Sequence, residues 1–461
     1  MPIDWSASVA DVIACWPADR PLAALVSGDG GGKWSRWSIL AAPGETLTTL
    51  CEVEAALTAA PRRGAVRGPD EPAFRAGWIG WIGYEAGRGL EPTARGRSDQ
   101  TPVDDRGWPE ACLRRCEGAY VFDHVSRRWW VVGDGSTLPT IDFSWCPDAA
   151  EGASTWTASG SAFGRDDRGA LSRTQYEALV ERALAYIRAG DIFQVNVGRR
   201  LTREFAGSPR AMFVRLIESM APWFGALIEG PTPGRALVSA SPELFLRIDA
   251  GTGRIVTRPI KGTAPGGGSA EALASSEKDQ AELTMIVDLM RNDLGRICEC
   301  GSVRVTHRRA IERHGSRLDS AGVWHGVATV EGRVRKNVTT GEALRAAFPA
   351  GSITGAPKIR AMQIVEELEP VRRGPYCGSV GWFADSGACE LNVAIRTAAI
   401  AGVLRTGAWT DVQGVLDYFV GAGIVADSIP ALEWEETEAK AAGFLKALES
   451  LRGQNEIVGK V

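Results

Sequence analysis

No run of about 18 apolar residues interrupts this sequence of 461, so it offers no helix able to cross a bilayer. A charge excess of one sign is also missing. Fifty-two Lys and Arg stand against 56 Asp and Glu, a net charge of -4, and the basic face that would hold nucleic acid is excluded. The N-terminus, MPIDWSASVADVIACWPADRP, lacks the positive charge and apolar core of a secretory signal, so a cytoplasmic location is expected. Histidine is scarce: His124, His307, His314 and His325 are the four, and none pairs with cysteine at zinc-finger spacing. Any bound metal should therefore be held by oxygen. The nine cysteines show no disulfide-framework spacing and read as reduced thiols.

The chain is long enough for two lobes or one large elaborated core. Residues 1–146 form a tryptophan-rich first region with strand-like runs, the clearest being Ala76–Glu85 (AGWIGWIGYE), whose recurrent glycines suggest close backbone packing. Residues 147–170 have the Gly, Ser, Ala, Thr and Asp composition of a linker. Residues 171–455 form the second domain. It opens with a capping box at Ser172 and an amphipathic helix stopped at Gly190, followed by a strand over Asp191–Arg200 and a helix near Pro209–Met220. Further helices are expected from Ser276 to about Cys298, after the turn Gly351–Pro357, and from Ile429 to Leu451. Strands lie between them without regular strand–helix alternation. That order predicts an α+β sandwich of mostly antiparallel sheets.

The stretch RIVTRPIKGTAPGGG, Arg254 to Gly268, places a lone lysine, Lys261, between proline and glycine. A lysine in such a loop is ordinarily a solvated charge. Here, however, Arg235–Ile248 (RALVSASPELFLRI) reads as a preceding strand, and Asp249–Gly253 as a turn, so an antiparallel hairpin should bring Glu243 close to Lys261. On the last helix Glu433, Glu436 and Lys440 fall at i, i+3 and i+7 and share a face. They read either as a solvated face with ion pairs or as metal-binding carboxylates beside an anion-binding ammonium, and Mg²⁺ suits the second reading. Two further stretches suit a carboxylate: the loop Gly351–Pro357, which leads into a helix with free backbone N–H groups, and Arg396, read as a strand arginine with two parallel donors.

The segments SPELFLRI, TRPIKGT, EKDQAELTMIVDLMRNDLGRI, FPAGSITGAPKIRAM, YCGSVGWF, LNVAIRT, GAGIVADS and EWEETEAK occur in the order found in the chorismate-utilising enzymes, which this chain resembles from about Ser172 to Leu451. GWIGWIGYEAGR and KWSRWSILAAP resemble the amino-terminal halves of aminodeoxychorismate and anthranilate synthases. The resemblance implies a large α+β fold and a Mg²⁺-dependent chorismate site. Its isochorismate and salicylate branch carries a water-activating lysine where this chain has Gln194. Anthranilate synthases normally read PIAGT where this chain reads PIKGT, the form found in aminodeoxychorismate synthase component I.

On that resemblance Lys261 adds covalently to the ring as its hydroxyl leaves, ammonia then displaces the lysine, and Glu243 is the general acid and base. Glu282 and Glu436, with Glu433 close by, match the metal ligands. Arg396, Lys440, Thr263 and the backbone around Thr354 and Gly423 would bind substrate. His325, preceded by Trp324, matches a histidine that positions the leaving hydroxyl, although Gly326 replaces the usual leucine. No glutaminase segment is evident, so a separate glutamine amidotransferase subunit is the implied source of ammonia, with para-aminobenzoate and folate synthesis the implied destination. Two other readings stand beside this one: anthranilate synthase component I, and a non-catalytic regulatory paralogue that binds chorismate or tryptophan.

Overall fold

The structure is a computed structural model that describes residues 1–28, 32, 34–59, 71–94, 102–144, 169–265, 270–315 and 322–449. The expected linker therefore falls outside the described residues except at its last two positions. Two large antiparallel sheets, one of 11 strands and one of 10, carry peripheral helices. The expected α+β architecture of antiparallel sheets is what the chain forms.

Each sheet is a composite of early and late strands. In the larger sheet Ala23–Val26 adds to Phe224–Glu229, with Val26 opposite Gly225. In the smaller, Gly77–Ile82 adds to Ser379–Ala384, with Ile79 opposite Trp382. The glycines of GWIGWIG do allow close approach, since a Cβ on Gly80 would lie 1.8 Å from the Cys112 carbonyl oxygen of the neighbouring strand. No other residue fits there.

The helices follow their sequence signals. Ser172 forms the capping box of Arg173–Arg188 with Gln175. Ser208 caps Pro209–Met220. Ser276 caps Glu277–Gly295, whose Leu283, Ile286, Val287 and Met290 are buried at the spacing of one helical face. The last helix is Pro430–Glu449. Among the described residues no helix is long and apolar enough to span a membrane.

Two expectations about strands are corrected. Arg235–Ile248 is not one strand: Arg235–Ser241 belongs to the larger sheet and Leu244–Ile248 to the smaller. Pro242, which has no N–H to offer a ladder, stands at the break. The second half keeps the predicted hairpin, with Ile248 opposite Ile255 and Asp249 Oδ1 accepting from Thr252 N at 2.7 Å. Arg396 is likewise not a strand residue. It lies between Cys389–Asn392 of the smaller sheet and Thr397–Leu404 of the larger, in a left-handed conformation with φ of 51° that ends the strand pattern.

The chain thus crosses between sheets at 241–243 and again at 393–396, and the two crossings are tied together. Val393 N donates to Glu243 O at 3.0 Å, Ser241 Oγ donates to Val393 O at 2.7 Å, and Ala240 N donates to Arg396 O at 2.9 Å. A third correction concerns the thiols. Among the described residues seven cysteines are free, but Cys15 is disulfide-bonded.

Candidate active site

Lys261 lies inside the strand Ile260–Pro265, not in a loop beyond a strand end. That strand pairs with Val323–Arg333, placing Thr263 opposite His325, and its register shifts between Ile260 and Thr263. Gly262, at φ of 83°, supplies the irregularity. The lysine is thereby turned towards the acidic helix, where its Nζ lies 3.7 Å from Glu282 Oε2. On its other side is Gly423, where a Cβ would come within 3.2 Å of Lys261 Nζ and 2.8 Å of Gln194 Nε2. The missing side chain is what lets the amine and the Gln194 amide approach the strand this closely.

Glu243, at the first sheet crossing, is buried and accepts from the Ser352 hydroxyl. Burial pushes its carboxyl up to about 7, against the opposing pull of Ser352, the Lys261 charge and the Ile260 amide. At the second crossing Arg396 Nη2 faces His325 Nε2 at 3.5 Å, and the Thr263 hydroxyl faces His325 Nδ1 at 3.2 Å. Burial, with Arg396 and His314 adding to it, drives the His325 pKa far down, so this ring is neutral. The structure therefore gathers Lys261, Glu243, Thr263, His325 and Arg396 beside the two crossings of the chain between sheets.

The C-terminal helix brings its face as predicted. Lys440 Nζ lies 2.6 Å from Glu436 and donates to Gly421 O at 2.8 Å, which fastens the helix to the strand carrying Gly423. The Glu436 side chain is part-exposed; desolvation on its inner side disfavours its charge, yet Lys440, Lys261 and Lys278 outweigh this and hold the carboxyl below its usual value. Glu433 is buried, and burial together with the Glu436 charge raises its carboxyl. The donor set suits a hard divalent cation, because Glu282, Glu433 and Glu436 offer only carboxylate oxygens and Glu433 Oε2 is buried without a hydrogen bond. The three do not yet converge: among the described residues no three acidic, histidine or cysteine groups form a ready cation cluster.

At Thr354, where the expected contact is with the backbone, the side chain turns away. Its hydroxyl donates back to Ala350 O at 3.0 Å, while its carbonyl accepts from Asn196 N at 2.9 Å, so its part is to hold the 351–357 loop on the neighbouring strand. Sequence reasoning did not include Ser352, Asn196 or Lys278 in the site. Ser352 lies in GSITGAP beside Thr354, and Lys278 sits one helical turn before Glu282, so both spacings carried the signal. Asn196 is two residues beyond Gln194 on one strand face; its Nδ2 and the Gln194 Oε1 are both buried without hydrogen bonds. Two cavities of about 330 and 340 Å³ lie elsewhere, around Arg88 and Arg106 and around Trp34 and Trp223.

The chorismate binding enzyme family matches residues 30–446. Anthranilate synthase component 1 of Thermus thermophilus is 40% identical over 395 residues, 83% of this chain and 79% of that protein. Aminodeoxychorismate synthase component 1 of Klebsiella aerogenes is 38% identical over 388 residues, 82% of this chain and 78% of that protein. The crystal structure of anthranilate synthase component I from Streptococcus pneumoniae superposes with a TM-score of 0.67 at 28% identity, covering 90% of this chain and 93% of that one. The chain belongs to the chorismate binding enzymes.

Proposed function

We propose that this chain aminates chorismate at the ring carbon bearing its hydroxyl, giving 4-amino-4-deoxychorismate. The observation that carries the reading is the Lys261 amine, turned out of its strand beside Glu282 and packed close against Gly423. Glu243, protonated in part near neutrality, gives its proton to the departing hydroxyl, which leaves as water, while the nitrogen lone pair of the Lys261 amine forms a C–N bond to the ring. Ammonia then forms the second C–N bond as the lysine bond breaks, and the surplus proton returns to Glu243. Glu282, Glu433 and Glu436 would hold Mg²⁺, whose charge binds a substrate carboxylate. Arg396 and Lys440 offer cations for carboxylates, and His325 offers a neutral ring near Thr263.

The ammonia is supplied, on this reading, by a separate glutamine amidotransferase. The purified chain is expected to use ammonium but not glutamine, and glutamine-driven turnover with no second polypeptide in the mass spectrum overturns that part. The competing reading, favoured by the 40% identity to an anthranilate synthase component, is formation of anthranilate. Chorismate, Mg²⁺ and ammonium, incubated with and without aminodeoxychorismate lyase, separate them. The aminodeoxychorismate route yields 4-aminobenzoate only when lyase is added; fluorescent anthranilate without lyase sinks it. Lys261→Ala is expected to fold normally and to lose at least about tenfold in turnover, because the covalent route is gone. Full activity of that variant across a wide ammonium range would remove the lysine from the mechanism.

A further inference from the structure

We propose that His314 is a positioning residue for His325, its ring forming the wall that fixes the plane of the His325 imidazole against Arg396. His314 ends the strand Arg304–His314 and is only 3% exposed. It stacks on Trp223, with ring centroids 3.9 Å apart and planes 14° apart, and it meets His325 edge to face at 5.0 Å and 80°. Neither of its ring nitrogens makes a hydrogen bond; Nε2 stands 3.6 Å from Glu312. Glu312 is itself paired with Arg258, which lies over Trp34 at 4.5 Å and Trp223 at 5.7 Å. Burying two unbonded ring nitrogens costs stability. His314 is therefore seated by its ring contacts with Trp223 and His325.

The need for a wall follows from the polar contacts of His325. Arg396 can only donate, so His325 Nε2 must offer its lone pair and the ring proton sits on Nδ1, towards Thr263 and the Gly262 carbonyl. At 3.5 and 3.2 Å both side-chain contacts are long for hydrogen bonds, so beyond the Gly262 carbonyl the ring has little polar restraint against tilting. His314 and Trp223 close the remaining side.

The test compares His314→Ala with His314→Phe, which restores a ring without its nitrogens. The activity arm rests on the amination reading and counts every ring product formed from chorismate and ammonium. His314→Ala is expected to lower kcat on the order of tenfold with KM changed less than about twofold, and His314→Phe to recover most of that loss. In a His325→Ala background, His314→Ala should cost no further turnover, whereas the thermal stabilities should continue to add. Multiplying losses in the cycle, or a Phe variant as impaired as Ala, overturns the proposal. A second arm needs no turnover: ¹⁵N-histidine NMR should show His325 as the Nδ1–H tautomer in the unaltered protein and as a tautomer mixture in His314→Ala. An unchanged His325 ring spectrum in that variant overturns the positioning role. Absence of any chorismate product, with the spectral change present, counts against the amination reading alone.

Discussion

A carboxyl group that titrates near neutrality inside a protein is a stability cost kept for its chemistry, and Glu243 has that character. Its pKa stands at about 7 when folded against 4.5 when free, chiefly through burial, so the folded chain favours the protonated form. Stability from this group is therefore complete below about pH 4.5 and is lost as pH rises through 7. Glu243→Gln is expected to be more stable than the unaltered chain at pH 8, by at most about 3 kcal/mol, with no gain at pH 4. Denaturant titrations at the two pH values measure this. At constant free NH₃, turnover should fall above about pH 7 in the unaltered chain as the acid form is lost, and the Gln variant should be slow without that limb. A Gln variant that is less stable at pH 8, or that keeps the limb, would remove Glu243 from the acid role. The hairpin signal placed Glu243 near Lys261 correctly from local turn chemistry. The partner that shares its burial, Ser352, comes from a loop over a hundred residues later, a closeness that local spacing does not encode.

Two helices deliver the acidic side of the site, and each was legible for a different reason. Glu277–Gly295 announced itself by its serine cap and buried face, and Pro430–Glu449 by the i, i+3, i+7 spacing of Glu433, Glu436 and Lys440. Helical periodicity is local, so it survives translation from sequence to structure. Arg396 was misread because LNVAIRT alternates like a strand, yet the chain there is changing sheets and the left-handed φ at Arg396 interrupts the pleat. Loss of one carboxylate from either helix should have the same consequence. Glu282→Gln and Glu436→Gln are each expected to raise the Mg²⁺ concentration needed for half-maximal turnover by about tenfold or more while leaving the helices formed. Metal titrations of activity, with circular dichroism as control, measure it. Metal dependence identical to that of the unaltered chain in both variants, or full turnover in excess chelator, would refute the assignment.

At the scale of the whole molecule, the sandwich of antiparallel sheets was legible, but its composition was not. Pairing Val26 with Gly225 and Ile79 with Trp382 joins residues far apart in sequence, and strand propensity does not say which edge a strand will find. The two sheet crossings were hidden for the same reason, and they bear directly on how the site holds its shape. Because Glu243 and Arg396 sit on crossings bonded to one another at Val393 and Ala240, separating those groups requires breaking both sheets at once. In hydrogen-exchange terms, the backbone amides of Val393 and Ala240 should be released only by global unfolding, with protection free energies equal to the stability of the whole chain. Earlier exchange at either amide, while the neighbouring core amides stay protected, would reveal a hinge at the crossings. Without one, Glu243 and Arg396 have no private opening, and whatever motion admits substrate must come from the helices and loops around them.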